Sequence, residues 1–242
     1  MIDLERDGDV FILTMNAGEN RWNTTFVRAF DAALDEVLAG DGPAALVTRS
    51  ADPKFFSNGL DLAWIQAPGE HPEGGDRDAF GPEFMTLMAR IITLPIPTVA
   101  AVNGHGFGAG FMCALCHDER FMRTDRGFLC ANEVQIGMTI PEPEIALFRH
   151  KLSAPTFHRS IMLAQRWGGQ AALDAGVVQH LASEEVLREA AVERATALAP
   201  LGANRAQMGW MKEKTYGENA SINLGHGPAW MLRNPDQFKG HS

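Results

Sequence analysis

Residues 103–117 read NGHGFGAGFMCALCH and directly follow the apolar run PTVAAV at 97–102. A predicted buried strand runs into four glycines, and these run into a second apolar stretch. Glycine turns between strand and helix suit chemistry that needs bare backbone near a ligand, because a residue without Cβ admits close approach and unusual dihedrals.

Three chemistries fit such a stretch. Gly104-His105-Gly106-Phe107-Gly108-Ala109 matches the dinucleotide fingerprint G-x-G-x-x-A, with Asp125 ending the next predicted strand about 20 residues on. That fingerprint opens its domain, whereas here about 100 residues of strand and helix come first, and HDER at 117–120 cuts the following helix short. Cys113-Ala114-Leu115-Cys116-His117 matches the haem-attachment pattern C-x-x-C-H. Covalent attachment of that kind needs export, and the N-terminal MIDLERDGDV carries no apolar signal core. Two thiols one turn apart on an apolar helix read instead as core residues, and no second C-x-x-C completes a zinc set.

The remaining chemistry uses the backbone N–H groups themselves. DPKFFSNGLDL at 52–62 has the same form: a strand end, a glycine turn, and Asp61 placed to cap a short helix. Each segment leaves unpaired N–H groups at a helix N-terminus. Brought together, two such ends aim a pair of donors at one oxygen. A third segment, CANEVQIGMTIP at 130–141, holds Glu133 as its one carboxylate among mostly apolar neighbours. Such surroundings raise a carboxyl's pKa and suit it to proton transfer. The plainer alternative for Glu133 is a surface or helix-start residue.

The 242 residues are 45% hydrophobic and 21% charged, which permits a sizeable core. A net charge of −9 argues against nucleic acid as a partner. No apolar run approaches the roughly 20 residues of a membrane helix. The closing KGHS is not a peroxisomal tripeptide. An odd count of three cysteines suggests a reducing compartment, so a cytoplasmic protein is expected.

Periodicity predicts a hairpin within residues 1–15 turning at Asp7-Gly8-Asp9, a helix over 26–40, a strand at 44–48 and a helix over 80–94 that Pro95 and Pro97 end. Further strands are expected at 97–102 and 120–125. The Gly- and Pro-rich stretch 66–78 reads as an exposed, mobile loop. Helices are expected at 142–152, 155–165, 170–175 and 184–199. The fold class is α/β, with a core over 1–190 and a helical C-terminal part over 191–242.

FFSNGLDL, VNGHGFGAG and NEVQIGM, in this order and spacing, resemble the crotonase (enoyl-CoA hydratase/isomerase) superfamily over roughly residues 2–200. The resemblance implies a spiral of ββα units, trimers or pairs of trimers, and acyl-CoA thioesters as substrates. It implies that Leu60 N–H and Ala109 N–H hold the thioester oxygen, and that Asn58, Gly59, Leu60 and Leu62 line the CoA path. Lys54 is the candidate for a CoA phosphate. Trp64, Phe84, Met88 and Met112 are candidates for an acyl pocket, or plain core. No separate cofactor or metal is implied, since CoA is part of the substrate.

Hydratases of the superfamily carry a first glutamate three residues after the second oxyanion donor; here that position is Met112. Dienoyl-CoA isomerases carry an aspartate eight residues after the later glutamate; here it is Pro141. Glu133 is therefore left as a single base, which is enough to move a double bond from C3–C4 to C2–C3. NEVQIGMTIPEPEIALFRHKL also closely resembles the matching segment of Δ3,Δ2-enoyl-CoA isomerases, and that activity is the expected one. The alternatives are a hydratase pairing Glu133 with Glu142 or Glu144, and a member that binds acyl-CoA without turnover. Beside Pro141 and Pro143, both glutamates are expected to face solvent.

Overall fold

The computed structural model describes residues 1–69, 72–221 and 224–238, without the side chains of 219–221, 224 and 225; the closing KGHS lies outside them. β1 (Ile2–Asp7) and β2 (Val10–Met15) form the expected hairpin. β3 (Ala45–Ser50), β5 (Thr98–Val102), β7 (Glu119–Arg123) and β9 (His180–Ala182) extend it as parallel strands, in the order β1-β2-β3-β5-β7-β9. Alternate residues leave opposite faces of these strands. Phe11, Leu13, Met15, Leu46, Ala100 and Val102 join the larger core. Val10, Ile12, Ala45, Val47, Val99 and Ala101 join a smaller one on the other face. A sheet covered on both sides explains why β2, β5 and the first half of β3 read as mostly apolar runs.

α1 (Thr24–Leu38), capped by Asn23 accepting from Phe26 N at 2.9 Å, and α3 (Arg77–Ile92) pack on each other over the larger core. α8 (Leu187–Leu198) covers the smaller core with Leu187, Ala191 and Ala195. The expected boundary at 190/191 thus falls inside a helix that belongs to the sheet. Helices α5 (Glu142–Lys151), α6 (Ala154–Leu163) and α7 (Gly169–Asp174) stand within a residue or two of their expected positions. The later chain is not all helical. Besides α9 (Arg205–Tyr216) and α10 (Pro228–Arg233), it supplies β9 and a hairpin, β10 (Glu218–Ser221) with β11 (Leu224–His226). α10 returns to α3 and α5, and Lys212 of α9 bonds Asp118 at 2.7 Å, which ties this part to the core.

A second sheet positions the site. β4 (Phe55–Ser57), β6 (His105–Phe107) and β8 (Leu129–Cys130) are parallel, with β6 in the middle. α2 (Leu62–Gln66) follows β4, α4 (Ala109–Cys116) follows β6, and a 3-10 turn, Glu133–Ile136, follows β8. The three segments singled out in the sequence therefore leave one edge of one small sheet, at the strands' carboxyl ends, where open parallel sheets bind ligands. The stretch 66–78, expected as an exposed, mobile loop, makes specific contacts at its C-terminal side. Residues 70 and 71 lie outside the described ones, but Gly74 is buried against the Trp64 ring, and Thr24 Oγ1 bonds Asp76 O at 2.5 Å.

Candidate active site

The glycines of 103–117 are needed because the segments touch backbone to backbone. Gly59 sits at φ +76, and a Cβ there would lie 2.9 Å from Phe107 O. A Cβ on Gly110 would lie 2.6 Å from Ser57 O. Either side chain would push the two turns apart. Gly108, at φ +46, turns the chain into α4, and a Cβ there would lie 2.7 Å from Glu133 Oε1. The Glu133 carboxyl thus rests directly over the second glycine turn.

The first turn is held by a bridge to Trp22. Trp22 N donates to Gly59 O, and Asp61 N donates to Trp22 O, each at 2.9 Å. That leaves the Leu60 N–H pointing the other way. Asp61 caps α2 as expected, accepting from Trp64 N at 3.2 Å. On the second turn Met112 N returns to Gly108 O at 3.0 Å, while Ala109 N–H opens the helix. Among the described residues, neither Leu60 N–H nor Ala109 N–H donates to the protein.

Both residues line one pocket of about 230 Å³ with Arg21, Asn58, Gly59, Leu62, Phe107, Gly108, Asn132, Glu133, Ile136 and Met138. Burial raises the Glu133 carboxyl above the ordinary range, against a weaker lowering from a backbone hydrogen bond. Its Oε2 is buried without a hydrogen-bond partner. Glu133 both starts the 3-10 turn and lines the pocket. Among the described residues no basic group is a resolved influence on it.

Asn58 lines the pocket while its amide donates to Glu19 Oε2 at 2.9 Å. Glu19 pairs with Arg21 at 2.7 Å, so two lining residues, Arg21 and Asn58, are linked through it. Arg21 was not singled out in the sequence; its place just before Trp22, the residue that clamps Gly59, was the available signal. Lys54 is not brought to the pocket. It precedes β4, at the end of the strand away from Leu60, and lies over the Phe55 ring at 4.8 Å. Trp64, Phe84, Met88 and Met112 are 0–5% exposed and belong to the larger core, outside the pocket lining. Glu142 faces solvent as expected, but Glu144 does not: it is only 9% exposed.

The haem and dinucleotide patterns dissolve into packing. Cys113 and Cys116 are free, buried thiols. His117 Nδ1 bonds Cys113 O and its Nε2 bonds Thr48 Oγ1, each at 2.8 Å, so both ring nitrogens are engaged. Asp125 is paired with Arg123 at 2.8 Å. Among the described residues, no helix is long and apolar enough to cross a membrane.

Comparison with known proteins gives the family. The family described as enoyl-CoA hydratase/isomerase matches residues 5–221. Enoyl-CoA delta isomerase 2, peroxisomal, of Arabidopsis thaliana is 36% identical over 204 residues, covering 82% of this chain and 85% of that protein. Enoyl-CoA delta isomerase 3 of the same plant is 33% identical over 222 residues, covering 90% and 93%. The solved human mitochondrial Δ3,Δ2-enoyl-CoA isomerase superposes with a TM-score of 0.75 at 22% identity, covering 88% of this chain and 84% of that one, a likeness of fold. With two open backbone donors and a carboxylate in one pocket, and a family match across nearly its whole length, the chain belongs to the enoyl-CoA hydratase/isomerase family.

Proposed function

We propose that the chain is a Δ3,Δ2-enoyl-CoA isomerase. The observation that carries this reading is the placement of a single pocket carboxylate, Glu133, beside Leu60 and Ala109, whose N–H groups are open, with apolar Met112 one turn along α4. The thioester oxygen accepts from both N–H groups. Glu133 takes a proton from C2; the C2–H electrons spread through the thioester and the C3=C4 bond as a dienolate. Glu133 then returns the proton at C4, and the double bond is left at C2–C3. Each backbone donor is worth about 2.7–4 kcal/mol to the charged intermediate. The shift is redox-neutral and needs no cofactor beyond the CoA moiety of the substrate. Arg21, Asn58 and Leu62 flank the CoA path.

Assembly into a trimer, or a pair of trimers, is part of the proposal. Val134 and Ile136 of the 3-10 turn and Met162 and Leu163 of α6, which packs on that turn, are 50–62% exposed. Sedimentation at micromolar concentration is expected to give at least three chains, and a stable monomer refutes this part. A cytoplasmic setting suits the three free thiols. The deciding assay gives the protein 3-enoyl-CoA and 2-enoyl-CoA side by side. Conversion of the first to the second is expected; a protein that hydrates 2-enoyl-CoA and leaves 3-enoyl-CoA untouched is not this isomerase.

A further inference from the structure

The open N–H groups of Leu60 and Ala109 can meet one oxygen only while their two turns keep one direction and one spacing. A peptide is planar and trans, so Leu60 N–H points away from Gly59 O. Gly59, at φ +76, is the freest residue of the first turn, and the peptide after it swings unless both sides of the glycine are held. The chain between β2 and α1, residues 16–23, runs beside this turn and holds it. Asn58 N donates to Glu19 O, Trp22 N to Gly59 O and Asp61 N to Trp22 O, each at 2.9 Å.

At the centre of that segment is Asn20, 0% exposed and at φ +51. Among the described residues, Asn20 and Ala164 are the two with positive φ that are not glycine, and Ala164 ends a helix. Asparagine tolerates this backbone better than most residues, and a fold keeps it where the surroundings over-determine it. Asn20 Oδ1 accepts from Ala17 N at 2.9 Å, and its Nδ2 donates to Ser50 Oγ at 2.7 Å and to Phe56 O at 3.2 Å. The left-handed turn presents the Asn20 carbonyl to Ser57, whose hydroxyl donates to it at 2.7 Å and accepts from Gly59 N at 3.3 Å. Ser57 is itself fully buried, and on its other side it meets α4. A Cβ on Gly110 would lie 2.6 Å from Ser57 O and 3.0 Å from its Oγ. Ser57 thus stands between the residue before Leu60 and the residue after Ala109.

We propose that Ser57, held by Asn20, is the positioning residue of the two donors. Its hydroxyl fixes the N side of Gly59 while Trp22 fixes the O side, which together aim Leu60 N–H. Its backbone, pressed on Gly110, sets the distance to Ala109 N–H. Neither Asn20 nor Ser57 lines the pocket, so both act through the turns and not on the substrate. The inference rests on the reading of Leu60 and Ala109 as the donors to the thioester oxygen.

The test observes that oxygen directly. Butanoyl-CoA labelled with ¹³C at the thioester carbonyl has no double bond to move, and its C=O stretch falls in frequency as hydrogen bonds to the oxygen strengthen. Infrared difference spectra are expected to show a lower frequency on the wild-type protein than in buffer. Ser57→Ala keeps the Cβ and the contact with Gly110 but deletes the hydroxyl, and a smaller lowering is expected. Its turnover of 3-enoyl-CoA per binding site is expected to fall by about 10–100-fold with KM little changed, the scale of a misplacement of about 1 Å. Asn20→Gly keeps the positive φ and deletes the amide; a smaller loss of the same kind is expected, and this variant decides should Ser57→Ala not fold. Ser160→Ala on α6 removes an equally buried hydroxyl, one bonded to Thr156 O at 2.8 Å and Trp167 Nε1 at 2.9 Å. It is expected to lower the melting temperature and leave frequency and turnover in place. A wild-type frequency equal to that in buffer overturns the donor reading and this inference with it. A wild-type lowering that Ser57→Ala or Asn20→Gly reproduces in full, with wild-type turnover, overturns this inference alone, and so does a loss that Ser160→Ala matches.

Discussion

The two ends of α4 are treated in opposite ways. At its N-terminus Ala109 N–H has no partner among the described residues, the turn before it is a glycine at φ +46, and a carboxylate rests within reach. At its C-terminus the His117 carbonyl receives Arg120 Nη1 at 2.9 Å and Lys151 Nζ at 3.1 Å. Lys212 and Asp118 pair at 2.7 Å beside it. The helix end left open is the one proposed to hold the thioester oxygen, since buried backbone donors otherwise find partners. The eight residues between are apolar and fully buried, so the satisfied end anchors the open one.

The hardest blow to the open end is expected from the loss of its proposed base. Glu133→Gln keeps volume but cannot accept the C2 proton, and a fall in isomerase turnover of about 10²–10⁴-fold is expected. Acyl-CoA binding, measured by calorimetry, is expected to persist. Ala109→Pro deletes one donor at the first helical position, where proline is tolerated, and is expected to lower turnover by about 10²–10³-fold. A folded variant with wild-type turnover removes Ala109 from the oxyanion pair. Gly108→Ala tests the contact between turn and base: its Cβ meets Glu133 Oε1 at 2.7 Å in backbone that L side chains rarely adopt. Turnover is expected to fall, with a stability cost of about 1–3 kcal/mol in denaturant titration.

At the satisfied end the expected effects are on stability. Burial, and then Arg120, push Lys151 down to about 7. Between pH 7 and the ordinary lysine value of 10.5 the unfolded chain holds more protons than the folded one, so stability rises with pH across that window. Lys151→Met is expected to flatten the rise in a series of melting curves while leaving turnover per folded molecule in place. The smallest change is at the middle of the helix. Cys113→Ala with Cys116→Ala is expected to cost on the order of 1 kcal/mol each and to keep activity. A bound haem or zinc that disappears in this double variant contradicts their reading as core thiols.

What the sequence determined by itself was whatever local chemistry writes in a few residues. Glycines at 59 and 108 announce turns, Asp61 announces a cap, and apolar runs at 44–48 and 97–102 announce buried strands. Glu133 is legible because it is a lone carboxylate between such signals. Tertiary structure alone decided the rest. Strands of two or three residues, such as Leu129–Cys130 and His180–Ala182, carry no periodicity, so the small sheet that gathers the three segments and the sixth strand of the large one appear only on folding. Arg21 reaches the pocket because Trp22 bridges Leu60, a pairing between positions far apart in the chain. Glu144 follows a proline pair that reads as exposed, and only the packing of α5 among α4, α6 and α10 buries it. Residue type and spacing specify which backbone turns and which carboxylates are present; burial, which sets whether a carboxylate holds its proton, depends on what the whole chain lays over it.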